Sequence, residues 1–238
     1  MIDPSPRADL RQQGPAGVLR PGIHTYKPRR TRITERAARA LAEQAAFILD
    51  PSAPVIDLAG TWGDDVPVIV EIGFGDGLAT AAMAAADPAT GILAIDVHTP
   101  GVGDLLARIG EANLRNVRVM EADALGVLSR MVPPHSLAGA RSYFPDPWPK
   151  ARHHKRRLVQ PEVLDLLHGR LVPGGTWHIA TDWEEYADAI SACFSADARW
   201  RGGVVERPAW RPVTRYERRA LRDGRAITDL VFATRPTG

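Results

Sequence analysis

Two periods of apolar residues alternate along this chain. Val68-Ile69-Val70-Glu71-Ile72, Ile92 to Val97, Val117 to Met120, Arg141 to Phe144 and Thr176 to Thr181 are short strand-like runs. The first is continuous rather than alternating, the pattern of a strand buried on both faces of a parallel sheet. Leu78 to Ala86, Gly101 to Leu114, Ala124 to Met131, Gln160 to Leu171 and Trp183 to Phe194 carry helical spacing and follow the strands one for one. Ahead of them, Ile33 to Leu49 reads as a helix with Thr31 or Thr34 as its cap, ended by Pro51 and Pro54. Pro173-Gly174-Gly175 is expected to stop the Gln160 helix. Two further strand-like runs, Trp200 to Glu206 and Ala226 to Ala233, flank a polar loop around Thr214. No long helix joins them, so they should form an antiparallel hairpin.

This order predicts a doubly wound α/β fold: a seven-stranded, mostly parallel sheet with a C-terminal antiparallel hairpin and helices on both faces. Ligand loops of such sheets lie at the carboxyl ends of the strands. Glu71, Asp96, Asp123, Asp146 and Asp182 fall at or just past five successive strand ends. One acid there can be a loop cap, a fair reading of Asp123 or Asp182. Five should converge on one rim.

Glu71-Ile-Gly73-Phe-Gly75-Asp-Gly77 turns the first strand into its helix. Glycines allow positive φ and close approach to a ligand. A dinucleotide fingerprint would need glycine where Leu78 stands. The spacing with Glu71 ahead of it is instead that of S-adenosylmethionine sites, whose ligand has no diphosphate. Asp96 lies where a carboxylate accepts ribose hydroxyls. Asp123 is placed to meet an adenine amino group. A cationic sulfonium near such acids is favoured.

Phe144-Pro145-Asp146-Pro147-Trp148-Pro149-Lys150 has proline at every second position. Each proline fixes φ, removes a donor and disfavours helix in the residue before it. Phe144, Asp146 and Trp148 are therefore expected in a stiff, extended strand exit. A carboxylate and an aromatic held there suit a planar, hydrogen-bonding group such as a nucleobase. Trp148 and Trp183 are candidates for stacking on a base, or equally for the core.

At 238 residues the chain can bury one good core. A single cysteine, Cys193, allows no internal disulfide and suits a reducing compartment. The first 25 residues read as a basic, Pro-rich, disordered arm before one domain over residues 26–238. They have no apolar run like that of a signal peptide, and no segment nears the ~20 apolar residues that span a bilayer. A soluble, cytoplasmic protein is expected. Net charge is only +2, but Asp50 to Ala140 holds twelve acids against four arginines. Basic groups gather in three other regions, Arg20 to Arg39, Arg141 to Arg157 and Arg201 to Arg225. Nearly all are arginine, which suits phosphate contacts, and three such runs favour a polyanion partner. His153 and His154 lack partner ligands at metal spacing, so no metal is expected.

Five stretches occur together in order: EIGFGDG, IDVHTPGVG (Ile95 to Gly103), FPDPWPKARHHKRR (Phe144 to Arg157), ATDW (Ala180 to Trp183) and RPVTRYERR (Arg211 to Arg219). With them the chain, from about Thr25 onward, resembles the bacterial tRNA (guanine-N7)-methyltransferases. The basic segment Pro28 to Thr34 is similar to the one before that family's first helix. The resemblance implies a Rossmann-like class I methyltransferase using S-adenosylmethionine, with tRNA as partner and the variable-loop region as target. It implies no obligate protein partner, as monomer or homodimer. It places Glu71, Gly73, Asp96, Asp123 and Asp146 on the methyl-donor side, with Asp146 also the catalytic acid. It places Lys150, Asp182, Thr214, Arg215, Tyr216 and Glu217 against the guanosine, and Arg152, His153, His154, Lys155, Arg156 and Arg157 against the RNA. Asp96 stands where the family's usual residue is Glu, and Tyr216 where it is Phe.

Three other readings compete. Asp146-Pro147-Trp148-Pro149 is reminiscent of the block that holds an exocyclic amine in amino-group methyltransferases. A nonenzymatic RNA-binding protein with a relic pocket is weakened by the full set of rim acids. A nicotinamide dehydrogenase is weakened by Leu78.

Overall fold

The computed structural model describes residues 32 to 235. The expected arm over residues 1–25 and most of the basic segment that follows it lie outside them.

Seven strands form one sheet: β1 (Val68–Ile72), β2 (Gly91–Asp96), β3 (Val117–Glu121), β4 (Leu137–Tyr143), β5 (Leu171–Thr181), β6 (Trp200–Val205) and β7 (Thr228–Thr234). Their order is β3-β2-β1-β4-β5-β7-β6. Strands β1 to β5 pair parallel, and β7 runs antiparallel between β5 and β6. Eight helices accompany them among the described residues: α1 (Glu35–Glu43), α2 (Leu58–Trp62), α3 (Leu78–Ala86), α4 (Thr99–Glu111), α5 (Ala124–Arg130), α6 (Pro161–His168), α7 (Glu184–Ser195) and α8 (Arg215–Arg222). Leu93, Leu125, Leu164, Trp177 and Ile190 belong to one buried cluster, and Ile92, Leu105 and Val119 to another. Neighbouring residues Ile92 and Leu93 thus face opposite layers, as the period of two requires.

Several details depart from expectation: β4 begins at Leu137 rather than Arg141, and α2 is not among the expected helices. The first helix stops at Glu43, and a short 3-10 turn, Ala45–Phe47, replaces its last part. Thr34 does cap it, accepting from the Ala37 amide at 3.1 Å. Pro173-Gly174-Gly175 lies inside β5, not between helix and strand. Leu137 pairs with Leu171 but Gly139 with Thr176, so the extra residues are absorbed as a bulge in which Gly174 takes φ +81°. The polar loop around Thr214 continues into α8, whose apolar content is too low to announce a helix. Thr214 caps it, accepting from the Glu217 amide at 3.1 Å.

Candidate active site

Strand β1 ends in a loop whose backbone favours glycine. Gly73, Gly75 and Gly77 all take positive φ, +78°, +66° and +68°. A β-carbon on Gly101, at the start of α4, would stand 2.0 Å from the Gly75 carbonyl oxygen. The loop is tied to the end of β2. Gly75 donates its amide to Asp96 Oδ2 at 2.9 Å, and His98 donates to Asp96 Oδ1 at 3.0 Å. Burial still pushes the Asp96 carboxyl above its ordinary pKa. Asp123 caps α5, its Oδ1 accepting from the Leu125 amide at 3.1 Å.

The proline stretch leaves the sheet after one last bond, Phe144 N to Ala180 O at 2.7 Å. It is not uniformly extended as expected. Phe144 and Trp148 take φ +55° and +44°. Proline disfavours right-handed helix in its predecessor, and here packing selects the left-handed alternative. Phe144 stacks on Tyr216 with centroids 6.4 Å apart, and Trp148 is only 5% exposed. The turned chain brings Asp146 into the lining of the main cleft.

Asp96, Asp123 and Asp146 line one cleft with Gly73 and Gly75. Tyr143, Phe144, Arg215 and Tyr216 line it as well. Glu71 is set apart from them. It lines a smaller adjoining pocket with Phe74, Tyr143, Thr214, Arg215 and Tyr216. Its buried Oε2 makes no well-formed hydrogen bond among the described residues, and the buried Thr80 hydroxyl is the side-chain donor nearby. Burial pushes the Glu71 carboxyl up to about 7, against the pull of Arg141.

Residues 65–230 match the family described as "putative methyltransferase". The chain is 49% identical over 216 residues to a tRNA (guanine-N(7)-)-methyltransferase of Streptomyces avermitilis, covering 88% of this chain and 74% of that one. It is 44% identical over 223 residues to the protein of that name from Thiobacillus denitrificans, covering 92% and 98%. The chain belongs to the tRNA (guanine-N7)-methyltransferase family. The solved structure of the 16S rRNA methyltransferase KamB shares its fold, with a TM-score of 0.53 at 16% identity over 77% of this chain and 96% of that one.

In this member of the tRNA (guanine-N7)-methyltransferase family the remaining candidates divide between rim and interior. Arg215 and Tyr216 stay at the cleft. Arg215 lies 4.9 Å from the Tyr216 ring centroid and donates to its hydroxyl at 3.0 Å. Asp182 faces Arg225 at 3.1 Å. Lys150 is exposed just beyond the proline stretch and lines neither cavity. Glu217 is a correction. It is 3% exposed and paired with Arg211 at 2.7 Å and Arg207 at 3.0 Å, so its carboxylate is spent inside the protein.

The basic run also divides. Arg152 and Lys155 are exposed, and the Arg156 guanidinium lies 4.8 Å from the Trp148 ring centroid. His153 meets the same ring edge-on at 5.7 Å, and His154 bonds Arg157 at 3.1 Å. Arg157, expected against RNA, is buried. It pairs with Glu185, stacks at 4.8 Å on Tyr186 and donates to the Pro147 carbonyl. It is an internal brace of the proline stretch. Trp183 packs on the main core rather than standing free for a base.

Two parts of the site escaped the sequence reading. Tyr143 lines both cavities, although its position in a strand gave no sign of it. Arg211 is fully buried and joins Glu217 to Asp229, with Nη2 2.9 Å from Asp229 Oδ2. Asp229 in turn bonds His178 at 2.7 Å, and His178 bonds the Tyr143 hydroxyl at 3.1 Å. This chain of contacts anchors the segment carrying Arg215 and Tyr216 to β4, β5 and β7. One arginine inside a basic run cannot be told from its solvated neighbours by sequence.

Proposed function

We propose that this chain transfers the methyl group of S-adenosylmethionine to N7 of a guanosine in the variable-loop region of tRNA. One observation carries the site: Asp96, Asp123 and Asp146, from three different strand ends, line a single cleft beside the glycine loop. That cleft fits the donor. Positive-φ glycines let its backbone approach closely, apolar walls border it, and the carboxylates suit a cation. Asp96 holds ribose hydroxyls and Asp123 meets the adenine amino group. Glu71 keeps a buried oxygen without a well-formed hydrogen bond beside the loop, an acceptor for a donor of the ligand. When bound, the donor supplies an electrophilic sulfonium methyl.

The protein's own part is orientation. Guanine N7 has a lone pair and no proton at neutral pH, so no strong base is required. Asp146 accepts from guanine N1–H and N2–H and thereby aims N7. Adenine lacks that donor pair and would not be aimed in the same way. Arg215 and Tyr216 line the same cleft. Lys150 and Asp182 contact the nucleoside from the rim, and Arg152, Lys155 and Arg156 hold phosphates. The described residues, 32 to 235, act as one domain. No helix among the described residues is long and apolar enough to cross a membrane.

The test is incubation with unmodified tRNA and labelled donor, followed by nucleoside mapping. Label in alkali-labile N7-methylguanosine is expected. Label in an alkali-stable N-methylated amine would assign the amino-group reaction instead.

A further inference from the structure

Trp210 presents half its indole to solvent: it is 51% exposed. A large aromatic left that open is informative in a way that an exposed leucine is not. Its loop is held firmly. The Arg211 side chain beside it is fully buried between Glu217 and Asp229, and the Arg211 amide closes a turn on the Pro208 carbonyl at 3.0 Å. Pro208 and Pro212 bracket the ring in sequence. The indole itself meets the buried His178 ring at 5.5 Å and 78°, and the Arg141 guanidinium lies 5.0 Å from its centroid.

The location matters as much as the exposure. His178 also contacts Tyr143, with centroids 5.0 Å apart, and Tyr143 lines the cleft. Three rings thus lead from the cleft to the surface. Arg141 stands two residues before Tyr143 on β4, roughly 7 Å along the strand. A fixed, exposed indole with an arginine over it is the pairing that stacks single bases without reading their sequence. Because the ring is already ordered, little freedom is lost on contact.

We propose that Trp210 is a stacking platform for a base of the tRNA lying next to the methylated guanosine, with Arg141 held against the same ring. This rests on tRNA being the substrate. The platform adds affinity for the RNA and plays no part in holding the methyl donor.

The test measures the Kd of an unmodified tRNA transcript at fixed salt for the wild type, Trp210→Ala and Trp210→Phe, with thermal midpoint and donor Kd alongside. Trp210→Ala should weaken tRNA binding about tenfold, the usual size of one lost base–aromatic stack. Trp210→Phe should recover most of it, and donor binding should not move. Ultraviolet crosslinking of the wild-type protein should attach a nucleotide to the peptide carrying Trp210, a readout that needs no variant. Unchanged tRNA affinity in Trp210→Ala, or no crosslink at that peptide, overturns the proposal. So does a shift in oligomeric state at constant tRNA affinity, which would mean a second copy covers the ring. If the wild type binds no tRNA at all, the substrate assignment fails as well. If it binds tRNA and only the Trp210 variants are silent, the platform alone fails.

Discussion

Arg157 Nε donates to the carbonyl oxygen of Pro147 at 2.9 Å, spanning ten residues to hold the loop that carries Asp146. The same guanidinium pairs with Glu185 and covers Tyr186. Arg157→Ala should lower stability by about 1–3 kcal/mol, the scale of a lost buried hydrogen bond to a charged group. It should also slow methyl transfer at saturating tRNA, because Asp146 loses its brace. Arg152→Ala should leave the thermal midpoint in place and weaken only tRNA binding. Denaturant melts and single-turnover rates on the two variants separate the roles.

The buried Arg211 gives a second prediction. Arg211→Ala would remove the guanidinium shared by Glu217 and Asp229, which are 3% and 2% exposed, leaving Glu217 only Arg207 and Asp229 only His178. Removing one partner from a buried ion pair costs about 3–5 kcal/mol when nothing compensates it, so with Arg207 and His178 in place the expected loss is about 2–4 kcal/mol. Urea denaturation should show the loss, and Glu217→Gln, which keeps Arg211 paired with Asp229, should lose less.

Glu71 predicts how stability depends on pH. Its carboxyl titrates at about 7 in the folded chain against an ordinary 4.5. Between those values the folded protein keeps a proton that the unfolded chain has released. Stability from this group is therefore whole below pH 4.5, falls as pH rises, and is lost above 7. The loss is on the order of 3 kcal/mol over that window. Glu71→Gln should flatten this part of the curve, so the variant gains on the wild type at pH 8 and not at pH 4. Parallel curves for the two proteins would show that Glu71 is charged at neutral pH.

Gly101→Ala tests the glycine loop from outside. The new β-carbon would meet the Gly75 carbonyl 2.0 Å away, a backbone atom that cannot swing aside. The loop must move, carrying with it the amide that bonds Asp96. Donor Kd should rise about tenfold or more, the effect of one or two lost hydrogen bonds. Isothermal titration with S-adenosylhomocysteine checks this.

The first half of the sheet was legible because β1, β2 and β3 are largely apolar runs ended by glycine or acid. Val68–Ile72 and Leu78–Ala86 have the boundaries their sequence predicts. Asp96, Asp123 and Asp146 meet because strand ends in a parallel sheet lie on one edge, which is topology and can be read from element order. What remained hidden depends on side-chain direction. Arg157 and Arg152 are the same residue in the same run, yet one turns inward. Glu217 sits in a helix whose register, not its composition, sends the carboxylate toward Arg211. The left-handed turns at Phe144 and Trp148 follow from ring packing against Tyr216 and the interior, which no local rule about proline contains.

The role of Asp146 is tested most directly by the rate of methyl transfer to tRNA in Asp146→Asn, with donor and tRNA both saturating. The amide keeps the shape but turns one acceptor into a donor facing guanine N1–H and N2–H. A fall of about 100-fold, the scale of misplacing a reacting atom, at an unchanged thermal midpoint is the predicted result. A rate within twofold of the wild type would contradict it.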